Sequence, residues 1–123
     1  MIIKILILAI AMRESATLDS DAYNARENAV GVLQVRPCVI TDINRRYGTD
    51  FKHKDMRDAD KAAWVFRAYG KMYGAETPEQ YARIWNGGPD GAEEQCTEDY
   101  WKAVKRNIRT IISRRRKNEM KGK

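Results

Sequence analysis

The residues of this 123-residue chain whose types suit chemistry are few, and one carboxylate stands apart from the others. Glu14 follows the run Ile2 to Met12, which is apolar except for Lys4, and it precedes Ser15. The run is apolar nearly all round rather than striped, as in a helix buried on most of its faces. A carboxylate at the C-terminal end of such a helix lies at the negative end of the dipole, and apolar surroundings desolvate it further. Both effects raise its pKa and keep a proton available near neutral pH, which a general acid requires. Arg13 would oppose them if its guanidinium folds back. Asp19, Asp21 and Glu27, in the polar stretch that follows, are unranked candidates for a second carboxylate.

Two further stretches return toward the acid. Ala29-Val30-Gly31-Val32-Leu33-Gln34 is a small-residue turn in which Gly31 permits a positive φ or a close backbone approach, and it ends on one amide side chain, Gln34. Ile84-Trp85-Asn86-Gly87-Gly88-Pro89-Asp90-Gly91 is a dense turn signal. Aromatic residues beside these stretches, Tyr81, Trp85 and Tyr100, suit either a core or a sugar-stacking surface. His53 lies between Lys52 and Lys54 and reads as a surface residue. No His/Cys set has metal-ligand spacing, and there is no Gly-rich phosphate loop or Ser/His/Asp set, so neither metal nor cofactor is expected.

The elements that must position these residues follow from pattern and caps. Ile2 to Arg13 is the expected central helix. Thr17 to Asn28, rich in Asp, Asn, Ser and Ala, reads as an irregular loop or a short strand pair. Pro37 opens a helix in which Val39, Ile40, Ile43 and Tyr47 recur at helical spacing, and Gly48 stops it. Thr49 to Asp58 is a charged connection. Asp58 or Asp60 starts a helix with Ala62, Ala63, Val65, Phe66, Tyr69 and Tyr73 on its buried face, ended by Gly74. Thr77-Pro78-Glu79-Gln80 is a capping-box start for a short helix. Thr97-Glu98-Asp99 opens the last helix, whose acids and whose Arg114 to Lys117 suit the two ends of its dipole, with Trp101, Val104, Ile108, Ile111 and Ile112 inward.

With 43% hydrophobic residues the chain supports one core and not two, so one domain is expected over residues 1–113 with a basic tail over 114–123. The 23 Lys and Arg exceed the 17 Asp and Glu, giving +6, which favours an anionic partner such as wall polymer, nucleic acid or acidic membrane. Much of the excess lies in Arg114 to Lys117, Lys121 and Lys123, read as a solvated end. Cys38 and Cys96 are expected as free, mostly buried thiols, with one disulfide as the alternative. Ala9-Ile10-Ala11 resembles a signal-peptidase site. The run is too short to span a bilayer, and cleavage after Ala11 would remove the helix that fixes Glu14, so a retained core helix is expected.

Glu14-Ser15 after an apolar helix, Ala29-Val30-Gly31-Val32-Leu33-Gln34, and Ile84-Trp85-Asn86-Gly87-Gly88-Pro89 resemble, in order and spacing, the motifs of soluble-type lytic transglycosylases. Those run Glu-Ser, Gly-Leu-Met-Gln and Ala-Tyr-Asn-Ala-Gly-Pro-Gly, and the resemblance covers about residues 5–108. It implies a mainly α, single lysozyme-like domain with an irregular or β element after the first helix. It also implies cleavage of the β-1,4 bond between N-acetylmuramic acid and N-acetylglucosamine, at the cell wall, by a monomer with no transmembrane segment whose partner is the peptidoglycan glycan strand. By that analogy Glu14 is the acid, and Ser15, Gln34, Trp85, Asn86 and Tyr100 contact substrate or line its groove. Trp85 departs from the family's Tyr and offers an indole N–H in place of a hydroxyl. That departure leaves open a catalytically inactive peptidoglycan-binding or structural module of the same fold. A nucleic-acid binder using the basic tail would require the core motifs to have no role, and no specific nucleic-acid partner is expected.

Overall fold

The computed structural model describes residues 2–15 and 18–121. Ala16 and Thr17, where the polar stretch begins, and Lys123 of the basic end lie outside the described residues. The chain is mainly helical. Five α-helices are described, α1 (Ile2–Glu14), α2 (Pro37–Tyr47), α3 (Ala59–Met72), α4 (Pro78–Gly87) and α5 (Glu98–Lys121), with a two-stranded antiparallel hairpin, β1 (Tyr23–Asn24) and β2 (Ala29–Val30), after the first helix.

α1 is less enclosed than a helix apolar nearly all round suggests: Ile3, Ile5, Ile7, Leu8 and Met12 are only partly buried and Lys4 is exposed. Leu6, Ala9, Ile10 and Ala11 are buried, and the small side chains of Ala9 and Ala11 leave room for neighbours to approach. α5 packs along α1, and Asn107 Nδ2 donates to the Ala9 carbonyl at 3.0 Å. Phe66, Val65, Ala62 and Tyr69 of α3, Ala82, Ile84 and Trp85 of α4, and Val39, Ile40 and Ile43 of α2 join the same core. Ala63 and Tyr73, expected on the same face of α3, remain partly exposed.

The helix ends behave as their sequences predict. Asp58 Oδ1 accepts from the amides of Asp60 and Lys61 at the start of α3. Thr77 and Gln80 form a capping box at α4, each side chain accepting from the other residue's amide. The charged connection contains an unexpected 3-10 turn, His53–Arg57, that buries Met56. His53, expected at the surface, is half-buried, and its Nε2 lies 2.7 Å from the Val35 carbonyl. That bond holds the 3-10 turn against the segment following β2. The expectation of mostly buried thiols is also corrected: Cys38 and Cys96 are free but exposed. Both lie near helix or turn starts, where the chain presents its side chains outward.

The basic run is helical rather than a separate tail, since α5 continues through Arg114 to Lys117 and ends at Lys121. Ser113 to Lys121 are all exposed, so this part of the helix projects past the core. Among the described residues no helix is long and apolar enough to cross a membrane.

One buried polar residue joins three segments. Thr97 is fully buried, and its hydroxyl accepts from Arg83 Nε at 2.7 Å and lies within hydrogen-bond distance of the Gly91 and Glu94 carbonyls. Thr97→Val keeps the shape but leaves the Arg83 Nε donor without its acceptor, while the Gly91 and Glu94 carbonyls keep their bonds from the Glu94 amide and from Arg83 Nη2. It is expected to cost about 2 kcal/mol, measurable as a lower urea midpoint at unchanged slope.

Candidate active site

The site forms where the C-terminal end of α1 meets the first turn of α5 and the turn after β2. Glu14 occupies the last position of α1, partly buried. Tyr100, 86 residues away in sequence and 6% exposed, donates its hydroxyl to Glu14 Oε2 at 2.9 Å. Burial holds the Glu14 carboxyl above its ordinary value of 4.5. The Tyr100 hydrogen bond and the charges of Arg13 and Arg36 act the other way, and the negative charge of Glu27 adds to the rise. Burial, followed by the charge of Glu14, pushes the Tyr100 phenol well above 10.0, so it stays a proton donor. The pair is therefore an acid held partly desolvated by one fixed hydroxyl.

Arg13 does fold back, with its guanidinium over the Tyr100 ring at 5.6 Å from the centroid. It therefore reaches both members of the pair, and the net direction remains upward because burial is the larger effect.

Ser15, 7% exposed, has its hydroxyl within reach of the Ala11 carbonyl at 3.2 Å and the Val32 carbonyl at 3.0 Å. It ties the end of α1 to the turn Gly31 to Gln34, and its hydroxyl is committed to those carbonyls. The turn is closed by paired backbone bonds between Val30 and Val35, at 3.0 and 2.9 Å. Gln34 has a positive φ of 51°, and its Nε2 donates to Gly31 O at 2.8 Å and Ala22 O at 3.2 Å. The amide nitrogen thus shapes the turn.

Trp85 is placed differently from the sugar-contacting role that the resemblance implies. It is 4% exposed, its Nε1 donates to Leu33 O at 3.1 Å, and Phe66 and Tyr69 meet its ring edge-on at 5.2 and 5.9 Å. An indole with its donor satisfied and its faces packed is part of the core and has no surface to offer a sugar. Asn86, in the last turn of α4, is exposed. Of the two aromatics nearest the motifs, Tyr100 and not Trp85 supplies a group to the acid.

Arg36 is a site residue that the sequence pattern did not mark. It precedes Pro37, in the extended conformation that a residue before proline favours, and its Nη2 donates to the Trp85 carbonyl at 3.1 Å. Its charge acts on both Glu14 and Tyr100. A cation two residues after Gln34 and just before Pro37 was the only signal available. Among the three unranked acids, Glu27 acts on Glu14 through its charge. Asp21 instead faces Arg57 at 3.8 Å, and Asp19 Oδ1 accepts from the Asp21 amide.

Among the described residues no group of three His, Cys, Asp or Glu side chains could hold a metal. Glu14 lines none of five surface concavities of about 220–440 Å³; the two largest lie beside Trp64 and beside Trp101. No protein-family model and no curated protein matches the chain.

Proposed function

We propose that the protein is a lysozyme-like enzyme that cleaves the β-1,4 bond between N-acetylmuramic acid and N-acetylglucosamine in peptidoglycan, acting at the cell wall with Glu14 as its acid. The observation that carries this reading is the Glu14–Tyr100 pair, a carboxyl raised by burial with a phenol hydroxyl fixed on one oxygen at 2.9 Å. The resemblance of the three ordered motifs to soluble-type lytic transglycosylases supplies the substrate class.

In this mechanism protonated Glu14 gives its proton to the leaving glycosidic oxygen. The carboxylate then takes a proton from the muramic acid 6-hydroxyl, giving a 1,6-anhydro end, or from water, giving a reducing end. Tyr100 holds the carboxyl in one orientation, and its bond strengthens as the carboxylate forms. Arg13 and Arg36 steady the same negative charge, and the positive net charge favours approach to an anionic wall.

Mass spectrometry of fragments released from purified peptidoglycan by the wild type and by Glu14→Gln tests the reading. Release by the wild type alone is the expected result, and the fragment ends distinguish the two products. A folded wild type that releases nothing overturns it. The second reading, an inactive glycan-binding module, is favoured by the burial of Trp85 and by the absence of Glu14 from the five concavities. It predicts that intact sacculi are bound without release of fragments.

Tyr100→Phe separates positioning from packing. The Tyr100 bond lowers the Glu14 pKa, so its loss moves that pKa further up. The limb of the pH–rate profile on which the acid loses its proton is expected to shift to higher pH, while the rate falls about tenfold. A purely structural tyrosine would lower the melting temperature and leave that limb in place.

A further inference from the structure

We infer that the concavity beside Trp64 is an accessory glycan-binding site, taking a stretch of strand that is not itself cut; this rests on the peptidoglycan reading above. Trp64 lies on α3 but contributes little to its inner face, which is built from Ala62, Val65, Phe66 and Tyr69. Its side chain is 44% exposed. Tyr47 packs against it edge-on at 5.8 Å and 73°, and Phe51 at 5.4 Å and 45°. A large indole fixed by two other rings keeps apolar area in water with little side-chain freedom left to lose on binding.

The chemistry around the ring matches a sugar. The concavity, about 410 Å³, is lined by Lys4, Ile7, Asp60, Ala63, Trp64 and Arg67. The flat ring suits the C–H face of a pyranose. Lys4 and Arg67 donate and the Asp60 carboxylate accepts, so hydroxyl and acetamido groups, which need both, find partners. The two cations also suit the carboxylates of the wall's peptide stems. A purely apolar ligand would leave these three charges desolvated, at a cost.

The position along α1 links this concavity to the acid. A second concavity, about 240 Å³, shares Lys4 and Ile7 with the first and continues to Ala11 and Val32. The carbonyls of those last two residues are the ones that Ser15 bonds, next to Glu14. From Lys4 to Ala11, the span of α1 that the two concavities cover, is seven positions, about 10 Å along the helix. The two concavities therefore form one path beside α1, long enough for a strand rather than a single ring.

The test uses Trp64→Ala and, as a second variant that leaves the ring cluster intact, Arg67→Gln, each in a Glu14→Gln background so that substrate is not consumed. Co-sedimentation with purified sacculi and titration with an N-acetylglucosamine hexamer, followed by tryptophan fluorescence, read the binding. Both variants are expected to melt within a few degrees of the parent. Trp64→Ala is expected to weaken binding about tenfold, and Arg67→Gln severalfold. Binding unchanged in both folded variants overturns the site. Binding that a single-stranded DNA oligonucleotide displaces and the hexamer does not also overturns it, in favour of a polyanion surface. If sacculi are bound through Trp64 but the wild type never cuts them, the enzyme reading fails and this site stands. If sacculi are cut but Trp64 has no effect on binding, this site alone fails. Absence of any glycan binding overturns both.

Discussion

Glu14→Gln is expected to lose about 10² to 10⁴ of the glycan-cleaving rate and, in the same protein, to melt at a higher temperature than the wild type near neutral pH. The two effects share one cause. Burial holds the Glu14 carboxyl above 4.5, so the folded state binds that proton more tightly than the unfolded state does. The stabilisation that the proton brings is complete below 4.5 and is lost as pH rises through the folded value. Wherever the wild-type carboxyl is ionised it sits in a site that disfavours the charge, whereas glutamine keeps the shape and an acceptor for Tyr100 without it. The gain is expected to be roughly 0.5–2 kcal/mol, the usual size for relieving a strained functional group. Melting curves of both proteins from pH 7 to pH 4 check the sign, because the difference should shrink as the wild-type carboxyl takes up its proton. A variant that loses activity and is also less stable at pH 7 would show that Glu14 serves the fold.

The second large effect is on stability. Gly31 has a φ of +84°, and a Cβ built there would lie 2.1 Å from the Met56 carbonyl oxygen. Gly31→Ala therefore forces a side chain into the left-handed region and also pushes the Gly31 turn off the 3-10 turn that buries Met56. The expected cost is about 3 kcal/mol or more, seen as a fall in melting temperature of roughly 10 °C. Gly48 supplies the contrast, since it too has a positive φ, +66°, but nothing lies within 4 Å of its added Cβ. Gly48→Ala should cost only the backbone term, about 1 kcal/mol. If the two substitutions cost the same, the close approach to Met56 is not tight. Displacing the Gly31 turn also moves the Val32 carbonyl that Ser15 bonds. Any glycan cleavage should therefore fall in Gly31→Ala even at temperatures where the protein stays folded.

Local signals determined most of the helices. The apolar run marked α1, Pro37 and Gly48 bounded α2, Asp58 capped α3, and the Thr77 and Gln80 pair capped α4. These features act within a few residues of themselves, and nothing distant is needed to satisfy them. The short hairpin was legible only as one alternative, a loop or a strand pair over Thr17 to Asn28, and its second strand, Ala29–Val30, lies in the stretch read as a turn. The raised pKa of Glu14 also agrees with its position at the end of a largely apolar helix, where burial is the main cause.

What the local pattern did not contain is which side chains meet. Trp85 and Tyr100 are both aromatic residues beside polar neighbours, and nothing in their spacing separates the one sealed between Phe66 and Tyr69 from the one that bonds Glu14. Arg36 was unmarked and His53 read as a surface residue, yet the Trp85 carbonyl of α4 accepts from the first and the Val35 carbonyl lies 2.7 Å from the second. Trp64 was left off the buried face that the spacing assigned to its helix, but nothing local showed that Tyr47 and Phe51 would pack beside its ring. Helical period fixes which residues share a face, whereas the partner of that face depends on how α1, α4 and α5 pack. For this protein the sequence by itself determined the α-helices and singled out Glu14 at the end of the first, and the tertiary structure decided the hydroxyl and the charges that surround it.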